Sequence, residues 1–277
     1  MGAGLSGSAY TIHYKANGSA APAQHGNRDS VYLAPLVFLS PVIDNDAPRS
    51  LQPFLQRTST FSVSVSRGGF ATRYGNGAFT RTYSSMGADV GVDTYLTRQF
   101  ALTGRIGYAY GVLDDVIVNK SHTFSGSAGF GVRFGDARLD ASYSFDARNT
   151  DGTFAKLRWG AVGLRAYVVF ARSFALGLSG NVRDGGGGGG VDLGYYPMKD
   201  LGLFLSAAGQ TFVYYSPDIR ASYYTGGAGI SHWVTPGLRL YLTYALKLTH
   251  APAQPLMSFE SDEVEHTLSL NAILRRR

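Results

Sequence analysis

Hydrophobic and polar residues alternate strictly along Pro236–His250 (PGLRLYLTYALKLTH). From Leu238 onward the even positions are Leu or Tyr, whereas the odd positions carry Arg239, Lys247 and Tyr, Thr or Ala. Successive side chains of a β-strand point to opposite faces, so this alternation predicts a strand. A soluble strand averages about five or six residues, and a tilted strand that crosses a bilayer needs about 9–11. The stretch is therefore typical of one strand of a membrane barrel.

The same alternation continues from residue 58 to the end of the chain and predicts twelve strands. In Ala137–Ala147, for example, Leu139 and Tyr143 alternate with charged or serine residues. The twelve predicted strands are Thr58–Ser66, Tyr83–Leu96, Phe100–Val112, Val118–Phe134, Ala137–Ala147, Trp159–Phe170, Phe174–Arg183, Val191–Met198, Leu201–Tyr215, Ile219–Val234, Pro236–His250 and Val264–Leu274.

Short and long connections alternate between these strands. Two-residue links such as Arg98-Gln99 and Gly135-Asp136 alternate with longer ones such as 67–82 and 148–153, although 216–218 is no longer than a turn. Outer-membrane barrels have short periplasmic turns and longer external loops, whereas a soluble sandwich has no reason to keep this alternation. Tyr and Phe residues flank the strands, as aromatic girdles do. The pattern predicts an all-β fold, a transmembrane antiparallel up-and-down β-barrel.

Residues 1–57 have a different character, and we predict an N-terminal periplasmic or plug segment there, followed by the barrel over 58–277. The part from Lys15 to Ser30 is rich in Ala, Gly, Asn, Gln and Pro, which is typical of irregular chain. Fourteen strands are the alternative, if Leu5–Lys15 and Val31–Leu39 also pair. The long link 40–57 on the periplasmic side argues against that count.

Charged residues on the polar faces of the strands are predicted to line the lumen. They are Asp89, Asp93, Arg105, Arg133, Arg138, Asp140, Asp146, Arg165, Arg183, Asp192, Arg239 and Lys247. A buried charge must be paired or hydrated, so these residues predict salt bridges, a water-filled path or both. Other lumen positions are Ser, Gly, Ala and Thr, which leaves room for water, for small solutes or for residues 1–57.

Composition excludes several protein classes. No run of 18 apolar residues is present, which excludes transmembrane helices. The absence of Cys among 277 residues excludes disulfides and thiolate metal sites. The net charge of +6 is spread along the chain, with no basic platform for nucleic acid. The first residues do not resemble a signal peptide, so we expect that an export signal has already been removed.

Candidate catalytic chemistry is sparse. His250 and His266 lie near the external ends of consecutive predicted strands, with the acidic cluster Glu260–Glu265 between them. A hydrolase needs a nucleophile, a base and an orienting group within hydrogen-bond reach, and no matching spacing is present. The pattern GAGLSG at Gly2–Gly7 follows no strand, so it predicts no dinucleotide site. We expect no enzyme activity, no cofactor and no dedicated metal site, and we expect Gly185–Gly190 to be a flexible external loop.

Residues 58–277 resemble a Gram-negative outer-membrane β-barrel in the strand and turn pattern described above. The chain departs from that pattern by ending on Leu274-Arg275-Arg276-Arg277 instead of an aromatic residue. The segment Val42–Arg57 (VIDNDAPRSLQPFLQR) is similar to segments before barrels in myxobacterial envelope proteins, some of which belong to gliding-motility machinery. The resemblance implies a bacterial outer-membrane location, in contact with lipid and lipopolysaccharide.

Three functions follow as hypotheses. The first is a structural or anchoring barrel of an envelope assembly, with protein partners bound through residues 1–57 and the external loops. The second is a narrow channel for ions or small solutes, because the lumen face is small and charged. The third is a lipase or protease at the external rim, built on His250 and His266.

Overall fold

A computed structural model of the chain shows a single antiparallel sheet. It describes residues 2–274 except 17–18, 21–23, 35, 40–41, 44, 75–78, 115–118, 151–152, 184, 214–219 and 252–258. The arginines predicted to depart from the usual barrel terminus, 275–277, lie outside the described residues. No helix in the described part of the chain has the length and hydropathy needed to cross a bilayer.

Sixteen strands and one short helix make up the described structure. The elements are β1 (Gly2–Ala16), β2 (Ser19–Ala20), β3 (Gln24–Ala34), β4 (Leu36–Phe38), α1 (Gln52–Leu55), β5 (Thr60–Tyr74), β6 (Phe79–Tyr95), β7 (Phe100–Asp114), β8 (Asn119–Phe134), β9 (Ala137–Thr150), β10 (Thr153–Phe170), β11 (Phe174–Arg183), β12 (Gly186–Met198), β13 (Leu201–Val213), β14 (Arg220–Thr235), β15 (Leu238–Ala251) and β16 (Phe259–Leu274). Leaving aside the short β2 and β4, fourteen long strands remain, with 10 residues in the shortest and 18 in the longest. They have the length that a bilayer crossing requires.

The fourteen long strands pair in sequence order and return to their starting point. Neighbours pair from β5 to β16, β3 pairs with β5, and β1 pairs with both β3 and β16. At the seam the Tyr32 hydroxyl of β3 donates a hydrogen bond to the Asn271 side chain of β16. It reaches across Gly4 of β1, which is opposite both residues in the register. Each long strand is therefore paired on both sides, which removes the open edges that a bilayer does not tolerate.

The predicted barrel fold is confirmed, but the predicted count of twelve strands is wrong and the alternative of fourteen is right. The two additional strands, β1 and β3, come from the segment predicted to precede the barrel. Residues 1–57 are therefore not a separate unit, because Gly2–Ala16 and Gln24–Ala34 form part of the barrel wall. Without them, β5 and β16 would each have one unpaired edge. β3 pairs with β5 and β1 pairs with β16 through backbone hydrogen bonds, although hydrophobic and polar residues alternate only weakly in β1 and β3.

The outward faces of the strands are apolar and the inward faces are polar. Leu240, Leu242 and Leu270 are 41%, 43% and 53% exposed, and they alternate with residues directed to the interior. Exposed leucines in this pattern form the lipid-facing band of a membrane barrel. Arg239, the residue before Leu240, donates a hydrogen bond from Nη2 to Ser231 Oγ over 2.9 Å inside the wall.

The glycine run is part of the barrel wall, and the prediction of a flexible external loop there is wrong. Gly187–Gly190 pair with β11 on one side and with β13 on the other. A Cβ at Gly188 would lie 2.5 Å from the Gly209 carbonyl oxygen, so the neighbouring backbone approaches closely. Pairing on both edges orders these residues, although they have no side chains to indicate a strand.

Candidate functional site: the barrel lumen and its plug

Residues 45–58, called the plug below, lie inside the barrel at the end where the short turns are. The plug belongs to the long connection between β4 and β5 and contains α1. Leu51 is only 2% exposed and packs in a cluster with Val169, Ala175 and Tyr196 of the barrel wall. Phe54 lies edge-on to Tyr167, with ring centroids 4.7 Å apart. These apolar contacts hold the plug against β10, β11 and β12.

Polar contacts attach the plug to further strands. The Arg133 guanidinium, 2% exposed at the end of β8, lies 4.3 Å over the Phe54 ring and donates a hydrogen bond to the Phe54 carbonyl oxygen. Arg49 forms an ion pair with Asp200 in the turn between β12 and β13. Trp233 of β14 donates from Nε1 to Ser50 Oγ over 3.2 Å. The plug therefore spans the lumen between β8 and β14.

Trp233 provides a test of plug docking. The sequence contains two tryptophans, so Trp159→Phe leaves Trp233 as the single emitter, and Trp233 is 6% exposed. We expect Phe54→Ala in that background to shift Trp233 emission to longer wavelength, because loss of the ring contacts lets water reach the indole. Phe70→Ala is the control, since Phe70 stacks on Tyr83 towards the loop end of β5. An equal shift in both variants would show that Trp233 does not respond to the plug.

Arg138 of β9 forms several hydrogen bonds and two ion pairs in the lumen. It is 6% exposed and donates from Nη1 to Asp93 Oδ2 at 3.0 Å and from Nε to Asp140 Oδ1 at 2.7 Å. Its Nη1 also donates to the Tyr95 hydroxyl at 3.1 Å. Gly131 leaves the space for this cluster, because a Cβ there would lie 2.9 Å from Arg138 Nε. Charges that are paired in this way are compatible with burial.

Two further ion pairs link neighbouring strands. Arg105 Nη2 lies 2.6 Å from Asp89 Oδ1, and Lys247 Nζ lies 3.6 Å from Glu265 Oε2. Glu265 was missing from the predicted lumen residues although it is 5% exposed, and its spacing from Thr267 and Ser269 placed it on the same face. The alternation could therefore have identified it.

The remaining predicted lumen residues are placed as follows. Arg133 is attached to the plug and lies 3.8 Å from Asp136, and Arg239 lies over the rings of Phe204 and Tyr241. The guanidinium of Arg183 faces the side-chain amide of Gln210. The residues Asp146, Arg165 and Asp192 form no ion pair with another described residue.

A cavity of about 550 Å³ lies in the wall of the lumen next to the plug. Arg165 and Asp192 line it, together with small residues of β11 to β15 that recess the wall. Its aromatic side is formed by Tyr167, Tyr196, Phe204 and Tyr241. Sequence reasoning missed these rings as a group, because each follows an ordinary alternation and only the curvature of the sheet brings them together.

The two histidines considered for a rim enzyme are not brought together. His250 Nδ1 lies 2.8 Å from Asp262 Oδ1, whereas His266 Nδ1 lies 2.6 Å from the Tyr244 hydroxyl. His266 is opposite Leu246 in the register, four residues from His250 along β15, which is about 13 Å. Among the described residues no group of three or more His, Cys, Asp or Glu side chains is arranged to hold a metal ion.

Comparison with known proteins finds structural likeness without sequence likeness. No family model and no curated protein matches the chain. The deltaS2 mutant of the monoaromatic hydrocarbon channel TodX, a toluene transporter of Pseudomonas putida, matches over 100% of this chain and 90% of its own, with a TM-score of 0.61 and 10% identity. A FadL homologue of Pseudomonas aeruginosa matches over 99% and 90%, with a TM-score of 0.55 and 12% identity. The monoaromatic hydrocarbon channel CymD matches over 99% and 89%, with a TM-score of 0.54 and 6% identity.

The chain has the fold of Gram-negative outer-membrane β-barrels. At identities of 6–12% the likeness extends to the fold alone. The similarity of Val42–Arg57 to segments of myxobacterial gliding machinery finds no support in these matches. Those residues instead contribute to the plug.

Proposed function

We propose that the chain is a narrow channel for small polar solutes in a bacterial outer membrane, restricted at its short-turn end by the plug. The cavity of about 550 Å³ is the observation that carries this proposal. It opens on the lumen beside the plug and presents Arg165 and Asp192, which have no ion-pair partner among the described residues. Charges of this kind require water or a solute.

The size of the barrel supports conduction. Eight strands give an interior that side chains fill, whereas about 16–18 leave an aqueous channel. Fourteen strands with many Gly, Ser and Thr positions on the inner face lie nearer to the open end of that range. Apart from the plug, we propose that water fills this space.

The structural neighbours favour a channel over the anchoring barrel that was our first hypothesis. TodX and CymD are monoaromatic hydrocarbon channels, and this chain shares their fold. The anchoring hypothesis assigned residues 1–57 to contacts with partner proteins. Leu51 and Phe54 of that segment pack inside the barrel instead, so they need no external protein. The lumen charges lead us to propose polar solutes in place of hydrocarbons.

Blocking the lumen with a thiol reagent tests this function. The chain has no Cys, so Ser206→Cys introduces a single thiol at the cavity. We expect current through single barrels in planar bilayers, and we expect a charged methanethiosulfonate reagent to reduce it in Ser206→Cys. The matched control is Leu203→Cys on the same strand, since Leu203 is exposed on the outer face and does not line the cavity.

Two results would reject the channel. The first is no conductance from the intact barrel and none after removal of the plug. The second is an equal response of the two cysteine variants, because the current would then not pass through the lumen.

A further inference from the structure

The two charged residues of the cavity, which have no ion-pair partner among the described residues, lie at different heights in the wall. Arg165 of β10 is opposite Ser179 of β11, whereas Asp192 of β12 is opposite Gly177 of the same strand. They are thus two strands apart and offset by two residues. Strand spacings of about 4.8 Å and a rise of about 3.3 Å per residue place their Cα atoms about 12 Å apart. Both residues line the cavity, and their guanidinium and carboxylate form no ion pair with each other.

An aromatic surface adjoins the carboxylate. Tyr167 is also opposite Gly177, on the side away from Asp192. A Cβ at Gly177 would lie 3.4 Å from Asp192 Cβ and 3.7 Å from Tyr167 Cδ2, so the glycine lets these two side chains lie close together. A cation held by Asp192 would therefore also lie near the Tyr167 ring.

Further rings continue this surface towards the plug. Tyr196 and Phe204 have ring centroids 5.7 Å apart, and those of Phe204 and Tyr241 are 5.3 Å apart, both in edge contact. Tyr167 and Phe204 also pack against the cluster that contains Leu51. Aromatic rings bind flat apolar groups through offset or edge contacts. The lining of the cavity thus combines the cation of Arg165, the anion of Asp192 and an aromatic surface. The Arg239 guanidinium lies over the Phe204 and Tyr241 part of that surface, which leaves the Tyr167 side.

We propose that the cavity binds small aromatic zwitterions, with the carboxylate on Arg165, the ammonium on Asp192 and the ring on the Tyr167 side. This inference names the substrate class of the proposed channel and rests on that function. An aromatic acid uses Arg165 but leaves Asp192 unpaired, and an aromatic amine leaves Arg165 unpaired. A hydrocarbon uses neither charge and desolvates both, which is unfavourable. Only the zwitterion satisfies both groups.

Four ligands test separately the contributions of the Arg165 cation, the Asp192 anion and the aromatic surface. L-Phenylalanine carries a carboxylate, an ammonium and a ring, whereas 3-phenylpropanoate lacks the ammonium, 2-phenylethylamine lacks the carboxylate and L-alanine lacks the ring. Calorimetric titration of the full chain in detergent measures each affinity. Two of the other ligands lose a charge-assisted hydrogen bond and L-alanine loses the contacts of the ring, so we expect L-phenylalanine to bind at least about tenfold more tightly than each of the other three.

Two substitutions assign the charges. Asp192→Asn should weaken L-phenylalanine about tenfold and leave 3-phenylpropanoate unchanged. Arg165→Gln should weaken both of these ligands and leave 2-phenylethylamine unchanged. Arg98→Gln in a short turn and Asp114→Asn at the end of β7 are exposed charge changes outside the cavity, and neither should alter binding.

The outcomes distinguish this inference from the channel itself. Equal affinity of the wild-type chain for L-phenylalanine and 3-phenylpropanoate, or no effect of Asp192→Asn, would overturn the zwitterion site even in a barrel that conducts. The titration of the wild-type chain with four ligands remains decisive if a variant fails to fold. A barrel that binds L-phenylalanine selectively but conducts no ions would reject the channel and retain the site.

Discussion

Excision of the plug should raise the single-channel conductance several-fold. The strands on either side of the plug already meet, since the Leu39 amide donates to the Ser59 carbonyl oxygen at 2.8 Å. Residues 40–58 can therefore be replaced by Asn-Gly, a pair that favours the tight turn of a β-hairpin. The plug contacts strands from β8 to β14, and the narrowest section of a pore limits its current. Planar-bilayer recording measures the change.

A second variant keeps the full length of the plug but removes its packing against the barrel wall, so that the two effects can be compared. Replacing Leu51, Phe54 and Leu55 together by Ser keeps all residues but removes the apolar contacts. We expect a conductance between those of the wild-type and excised barrels, with frequent transitions, because the segment is then tethered but not packed. Identical conductance in the wild-type and excised barrels would show that the plug does not restrict the pore.

Replacement of Arg138 by Met should cause the largest loss of stability among the lumen substitutions. Arg138 is 6% exposed and its removal leaves Asp93 and Asp140 facing each other across the same space. Breaking a buried pair costs about 3–5 kcal/mol. Because the side chains of Asp93 and Asp140 are 39% and 22% exposed, we expect a loss near the lower limit, about 3 kcal/mol, in urea unfolding of the barrel in lipid vesicles.

Arg105→Met is the matched control for this measurement. Like Arg138, Arg105 pairs with an aspartate, in this case on the adjacent strand. Its side chain is 63% exposed, so we expect a loss of about 0–1 kcal/mol. The triple variant with Arg138→Met, Asp93→Asn and Asp140→Asn should recover part of the loss, since it removes the unpaired carboxylates. Equal losses in the two single variants would contradict the role assigned to burial.

Much of the site was predictable, because the alternation of hydrophobic and polar residues shows which side chains face lipid and which face the lumen. The rule that placed Leu240 towards lipid placed Arg239 towards the interior, and it also brought Asp93, Arg138 and Asp140 to the same face. Their pairing was not predictable, since Asp93 and Arg138 lie 45 residues apart on strands that are not adjacent. The barrel interior brings such residues together.

The sequence by itself determined that this protein is an antiparallel membrane barrel with apolar residues outside and charges inside. A period of two residues is a local property of the chain, and it is legible without knowing which strands are neighbours. The tertiary structure decided the count of fourteen strands, the strand formed by Gly186–Gly190, the plug and the aromatic cavity. These features depend on which backbone edges remain to be paired and on which residues face one another across the lumen, and no local pattern encodes either.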